Sequence, residues 1–244
     1  MKVSGNKILI TGATSGIGKA LAERFCKLDN QIIAVGRNEV RLKELSLFDN
    51  RIIPFKCDIA LPFELDQLVS FIKSEHKDLN TLINNAGVQY NNNLLDESYS
   101  LQHIEDEINT NLTAPLKLTK SLLPILQANP NSSIVNVSSG LGIVPKSKSA
   151  VYCGTKGAIH IFSKSLRFQL ETVKVFEIIP PLVDTEMTKD RSKGNISPER
   201  VVNEFIIAFE KNRYEVNIHK VKLLRIINRI SPKIAESIIR RIAI

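Results

Sequence analysis

The stretch Lys7-Ile8-Leu9-Ile10-Thr11-Gly12-Ala13-Thr14-Ser15-Gly16-Ile17-Gly18 decides the fold of this 244-residue chain. Its first five residues form a short apolar run of the kind that fills the interior of a sheet. Three glycines among small polar residues then make a tight turn, and beyond it Ile17, Ala20, Leu21, Ala22 and Phe25 recur at helical spacing. Strand, glycine turn and helix in direct succession let a pyrophosphate approach backbone N–H groups at the positive end of a helix.

Further along, the same alternation continues. Apolar runs QIIAVG (31–36), RIIPFK (51–56), TLINN (81–85), SIVNVS (133–138) and KVFEII (174–179) read as strands. Between them lie helical patterns such as Leu116, Leu118, Leu122 and Leu126. Strand and helix in strict alternation predict a parallel sheet covered on both faces, wound by right-handed crossovers. The expected fold class is therefore α/β, a single doubly wound parallel sheet of Rossmann type, with ligands bound beyond the carboxyl ends of its strands. After residue 185 the pattern turns helical and irregular, and SPERVVNEFIIAFEKN (197–212) opens on a serine cap with proline at the first helical position.

Composition excludes several classes. Apolar residues make up 43% and charged residues 24%, an ordinary globular balance. No apolar run approaches the ~18 residues of a membrane-spanning helix. Cys26, Cys57 and Cys153 are odd in number and form no C-x-x-C pair, and the four histidines are scattered, so neither a disulfide framework nor a metal site is expected. These features predict a reducing, cytoplasmic setting. The formal net charge of +8 is unevenly placed: residues 211–244 hold nine Lys/Arg against two Asp/Glu, leaving the rest of the chain nearly neutral. Nucleic acid is not expected as a partner, because the basic segment lacks interleaved aromatic residues.

Two further clusters carry chemistry. Asn84-Asn85-Ala86-Gly87 ends the fourth strand with small polar residues suited to bracing backbone or accepting a ligand. After the fifth strand come Ser138 and Ser139, and then Tyr152 and Lys156, which share one helix face at a spacing of four. A lysine ammonium beside a phenol favours the phenolate and makes the tyrosine a usable acid or base.

Together these segments resemble the short-chain dehydrogenase/reductase family, with its T-G-x-x-x-G-x-G, N-N-A-G, helix asparagine, serine and Y-x-x-x-K in order over roughly residues 5–212. The run VYCGTKGAIH (151–160) with PPLVDTEM (180–187) is most similar to the DltE-type branch. The resemblance implies an NAD(P)-dependent enzyme that interconverts a carbonyl compound and an alcohol. It casts Tyr152 as acid/base, Ser139 as the hydroxyl on the substrate carbonyl, Lys156 as ribose ligand and tuner of the tyrosine, and Asn111 as holder of a relay water. Ser138 should point elsewhere. The implied cofactor-binding set is Gly12, Thr14, Ser15, Gly16, Ile17, Gly18, Arg37, Asp58, Asn85, Ala86, Gly87, Tyr152, Lys156, Pro180, Val183 and Thr185, with Asp58 at the adenine and Thr185 at the carboxamide. Pro181 departs from the family pattern and removes one N–H beside the nicotinamide. A non-catalytic NADP(H) sensor on the same fold is the rival, which the intact proton-transfer set disfavours.

At the end of the second strand stand Gly36 and Arg37 where an NAD-preferring site would carry an acid, so NADP(H) is the expected cofactor with NAD(H) still usable. Cys153 reads as a small buried residue rather than a redox switch. Lys146 and Lys148 read as solvated surface charges, with an anionic substrate as the open alternative. Family helices matching about 97–127 and 151–171 pair between subunits, implying a homodimer or homotetramer. The chain divides into a catalytic unit at 1–212 and a basic amphipathic helical extension at 213–244. In that extension Leu223, Ile226, Ile227 and Ile230 share a face, opposite Lys222, Arg225 and Arg229, and Ile234, Ile238 and Ile242 continue the apolar stripe. Two readings stay open: docking on a subunit or the substrate cleft, and peripheral contact of 220–244 with an anionic membrane face.

Overall fold

The computed structural model describes residues 1–189 and 195–242. In chain order the elements are β1 (Lys7–Thr11), α1 (Gly16–Cys26), β2 (Gln31–Gly36), α2 (Glu39–Phe48), β3 (Ile52–Lys56), α3 (Pro62–Glu75) and β4 (Thr81–Asn84). There follow α4 (Leu101–Ile108), α5 (Ala114–Ala128), β5 (Ser133–Val137), α6 (Ala150–Gln169), β6 (Lys174–Ile179), α7 (Pro198–Glu210), β7 (Glu215–Asn217), α8 (Val221–Ile230) and α9 (Pro232–Ile242). The strands form one parallel sheet in the order β3-β2-β1-β4-β5-β6-β7.

The strand order reverses between β1 and β4, where Ile10 pairs with Ala34 on one side and Ile83 on the other. Such a switch point leaves a crevice at the carboxyl ends of the strands. Both sheet faces are buried, which is why the central strands are apolar throughout instead of alternating. On one face Ile8, Ile10 and Phe176 pack with Leu21 and Phe25 of α1 and Phe205 and Phe209 of α7. On the other, Leu9, Leu82 and Ile134 pack with Leu68 and Ile72 of α3, Leu118 and Leu122 of α5, and Leu166 of α6. Helix α7 begins as expected, Ser197 accepting from the Arg200 amide with Pro198 in the first turn.

The two sheet edges are blunted differently. β3 carries Pro54, and β7 has only three residues, so neither presents a long pairing template. The sequence reading finds six of the seven strands and misses β7, because Glu215-Val216-Asn217 is too short to show a period. It becomes a strand through its partner: Ile178 pairs with Val216 and Ile179 with Asn217. The expected extension from residue 213 thus enters the sheet before it enters α8. Residues 243 and 244 of that extension, and the side chain of Ile242 in its stripe, lie outside the described residues. Among the described residues no helix is long and apolar enough to cross a membrane.

Phe205 is fully buried and meets Phe25, Phe176 and Phe209 at ring-centroid distances of 6.4, 6.4 and 5.5 Å. Phe205→Ala should cost about 3–5 kcal/mol in urea denaturation through the cavity it leaves and the edge-to-face contacts it loses. A loss below about 1 kcal/mol would mean that the face between α1 and α7 does not carry the core.

Candidate active site

A cleft of about 1020 Å³ opens at the switch point. The turn after β1 forms one wall of it. Gly12 has φ of +65°, and a Cβ there would lie 2.8 Å from the Cα of Ala86. Gly18 is excluded from side-chain growth more severely, since a Cβ would sit 2.1 Å from the Gly12 carbonyl oxygen. The turn and the loop after β4 are also tied by hydrogen bonds. The Thr11 hydroxyl accepts from the amides of Asn85 and Ala86 at 3.0 and 3.1 Å, and the Asn85 side-chain amide donates to the carbonyls of Thr11 and Gly12 at 2.9 and 3.1 Å. Asn84 donates to Asn136 of β5 at 2.8 Å, so N-N-A-G is first a brace between strands.

Almost every expected site residue lines this cleft: Gly12, Thr14, Ser15, Gly16, Ile17, Arg37, Asp58, Asn85, Ala86, Gly87, Ser139, Tyr152, Lys156, Pro180, Val183 and Thr185. Gly18 and Asn111 are not among the lining residues. Gly18 serves the close packing just described. Asn111 lies in a π-helical turn (Asn109–Thr113) between α4 and α5, where its side chain accepts from the Val88 amide at 2.8 Å and donates to the Val88 carbonyl at 2.9 Å.

At the far end of the cleft, a Cβ on Gly36 would approach Thr14 Cγ2 to 2.7 Å, so the missing acid at that position is also a steric requirement. Arg37 leans on Asp58 at 3.5 Å, whose other oxygen accepts from the Ala60 amide. Sequence reasoning missed Arg41, one helical turn after Arg37, which also lines the cleft and grips Glu186 with two hydrogen bonds of 2.7 and 2.6 Å. The guanidinium holds the Glu186 carboxyl below its ordinary range. The signal available was two arginines spaced four apart at the opening of a helix.

The opposite end is built by α6. Ser149, at a φ of +63°, starts the helix and donates to the Tyr90 carbonyl at 2.7 Å. Tyr152 is then buried in the first turn, with the Lys156 Nζ 5.7 Å from its ring centroid. That Nζ donates to the Val137 carbonyl at 2.9 Å, and burial lowers its pKa from 10.5 to about 8. Ser139 opens a short 3₁₀ turn (Gly140–Gly142), its hydroxyl accepting from the Leu141 amide at 3.1 Å. Ser138 does point elsewhere, donating to Glu177 at 2.5 Å. Glu177, buried in the middle of β6, also contacts His160 Nδ1 at 3.0 Å and Arg167 at 3.6 Å, both on α6. A carboxylate inside the apolar run KVFEII was the unread signal for this cluster.

Pro180 accepts from the Gly140 amide at 3.0 Å, and Thr185 caps a second 3₁₀ turn (Glu186–Thr188). Cys153 is a buried thiol, and burial pushes its pKa up. Lys146 reaches Asn91, and Lys146 and Lys148 both line the cleft. The C-terminal helices close it: Leu223, Leu224, Ile227, Ile238 and Ile239 form an apolar wall.

A family model described as short chain dehydrogenase matches residues 6–196. The chain is 37% identical over 233 residues to the uncharacterized oxidoreductase DltE of Bacillus subtilis (strain 168), covering 92% of each. It is 32% identical over 193 residues, 77% of each, to the NADP-dependent 3-hydroxy acid dehydrogenase YdfG of Shigella flexneri. A solved short chain dehydrogenase from Burkholderia cenocepacia J2315 in complex with NADP superposes with a TM-score of 0.87 at 24% identity, over 98% of this chain and 99% of that one.

The buried Lys156 ammonium makes a pH-dependent contribution to stability. Because its folded pKa is depressed, the desolvation cost is in force below about 8 and is relieved as the pH rises towards 10.5, where only the unfolded chain still holds the proton. Relative to Lys156→Met, the native chain should gain about 2 kcal/mol in urea denaturation between about pH 8 and 10. A difference that stays flat over that range would remove the low pKa from Lys156.

Proposed function

Because the chain belongs to the short-chain dehydrogenase family of NAD(P)-dependent oxidoreductases, we propose that it interconverts a carbonyl compound and an alcohol with NADP(H), Tyr152 serving as acid and base. The observation that carries this reading is the buried pair of Tyr152 and Lys156 on the floor of the cleft. A cation 5.7 Å from the Tyr152 ring favours the charged form of the phenol, which suits this tyrosine to acid/base work.

The residues fit a dinucleotide. Gly12 and Gly16 leave no side chain between the cleft and the N-terminus of α1, where a pyrophosphate gains backbone N–H donors. Arg37 and Arg41 offer two planar guanidinium groups for a 2′-phosphate, and Gly36 supplies no acid to repel it. Bound there, NADP(H) supplies or accepts the hydride. In the reducing direction Tyr152 donates its phenolic proton to the carbonyl oxygen, and the Ser139 hydroxyl stabilises the charge growing on that oxygen. Lys156 would hold ribose hydroxyls and place its positive charge near the Tyr152 ring. Asn111 contributes through the π-helical turn, fixed by its bonds to Val88, at which the relay water is held.

Residues 1–212 carry these groups, while 213–244 closes the cleft with the apolar wall of α8 and α9. Apolar lining and the nearby Lys146 and Lys148 favour a small-molecule substrate with an apolar body and an acid group, a choice to which the name of the Shigella relative also points. Exposed Leu101 and Ile108 on α4 and Ile161 and Phe168 on α6 support pairing of those helices in a homodimer or homotetramer. Three buried free thiols suit a cytoplasmic setting.

A panel of 3-oxo acids and apolar ketones, followed by NADPH loss, identifies the substrate. With it in hand, Tyr152→Phe should lower turnover by about 10²–10⁴ while NADPH binding survives; near-normal turnover would refute the mechanism. In direct titrations Arg37→Ala with Arg41→Ala should weaken NADPH about tenfold or more and leave NADH nearly unaffected. Equal binding of NADH and NADPH by the native chain would refute the cofactor choice. Phe168→Glu should shift the sedimentation coefficient towards that of the monomer.

A further inference from the structure

Helices α8 and α9 split their apolar residues between two directions. Leu224 and Ile227 of α8, and Ile238 and Ile239 of α9, face the cleft. Ile226 and Ile230 follow one another at helical spacing on a different face of α8, and Ile234 extends the row into α9. Leu223 stands at the border between the two directions, 61% exposed and lining the mouth of the cleft. Ile226, Ile230 and Ile234 are 58%, 79% and 56% exposed, an unpaired aliphatic row on the outer surface of the two helices.

The charge around that row is one-sided. Between residues 220 and 242 there are seven Lys/Arg and one carboxylate, Glu236. On α8, Lys222, Arg225 and Arg229 lie along the flank beside Ile226. Lys222 and Arg225 pair with Glu204 and Glu215, whereas Arg229, Lys233 and Arg240 are exposed. A helix with an aliphatic row edged by cations lies naturally in the plane of a membrane surface, the row in the acyl boundary and the cations among headgroups. A second copy of this chain is a poorer occupant: a two-fold contact through the same face would bring Arg229 and Lys233 against their own counterparts.

We propose that α8 and α9 dock the protein on an anionic lipid surface through Ile226, Ile230 and Ile234, with Arg229, Lys233 and Arg240 facing the headgroups. The docking surface is independent of the reaction in the cleft, and none of these residues belongs to the proton-transfer or nucleotide machinery.

Co-sedimentation of the full chain with vesicles tests it, comparing phosphatidylcholine alone with vesicles in which about a third of the lipid is phosphatidylglycerol. The chain should pellet with the anionic vesicles at low salt, remain in the supernatant with the neutral ones, and be released as salt is raised. Arg229→Gln and Lys233→Gln should each lower partitioning about fivefold. Ile226→Ser with Ile230→Ser should abolish it while leaving the thermal midpoint unchanged, since both side chains are exposed. The proposal is overturned if the intact chain stays in the supernatant with anionic vesicles at low salt, or if both sets of variants pellet like the native chain. It is equally overturned if the serine variant lowers the oligomeric state of a protein that binds no vesicles, which would make a second copy the occupant.

Discussion

The Glu177 carboxylate has no exposure to solvent, and Ser138, His160 and Arg167 converge on it from β5 and α6. A carboxylate in the middle of a sheet is tolerated only where its oxygens are so engaged, and removing either side leaves an uncompensated buried polar group. The contacts fall on the same stripe of α6 as Tyr152 and Lys156. Lys156 to the Val137 carbonyl, Ser163 to Asn136, His160 to Glu177 and Arg167 to the Val175 carbonyl fasten that stripe to β5 and β6 along more than three turns. The phenol and the ammonium therefore stand on a helix that cannot roll, and Ser139 follows directly on a residue anchored to the same carboxylate.

A second constraint holds the nucleotide end. Thr11 receives two amides from the loop after β4, while Gly18 lets α1 close down on the carbonyl of Gly12. The Thr11 contacts bridge the point where the strand order reverses, the place in the sheet where neighbouring crossovers leave in opposite directions, and the Gly18 contact sets the turn beside it. The two ends of the cleft are thus set by different means, hydrogen bonds to a buried acid at one and close backbone packing at the other. They also connect. Arg167 reaches Glu215 of β7 at 3.8 Å, Glu215 pairs with Arg225 of α8, and α8 walls the cleft. One line of charges thereby runs from the helix of Tyr152 to the helix that closes the substrate side.

The sequence by itself determined the alternating parallel sheet, the glycine turn, and the identities of Tyr152, Lys156, Ser139 and Arg37 as cleft residues. The sheet, the turn and the pair of Tyr152 and Lys156 are legible because they rest on local rules, a buried run, a turn too tight for a side chain, and two residues one helical turn apart, whereas Ser139 and Arg37 are picked out by the resemblance to the family's motif order. Tertiary structure alone decided the rest. β7 is a strand only because the edge of β6 was free, and Glu177 is meaningful only once His160 and Arg167 pack over it. Arg41 joins Arg37 through the path of α2 past the segment after β6, where Glu186 meets it. The apolar stripe of the C-terminal helices is legible as a stripe, yet its division into cleft-facing Leu224 and Ile227 and outward-facing Ile226 and Ile230 depends on which side of α8 meets Gly140 and the cleft. Periodicity fixes which residues share a face, whereas the contacts made by that face come from parts of the chain far away in sequence.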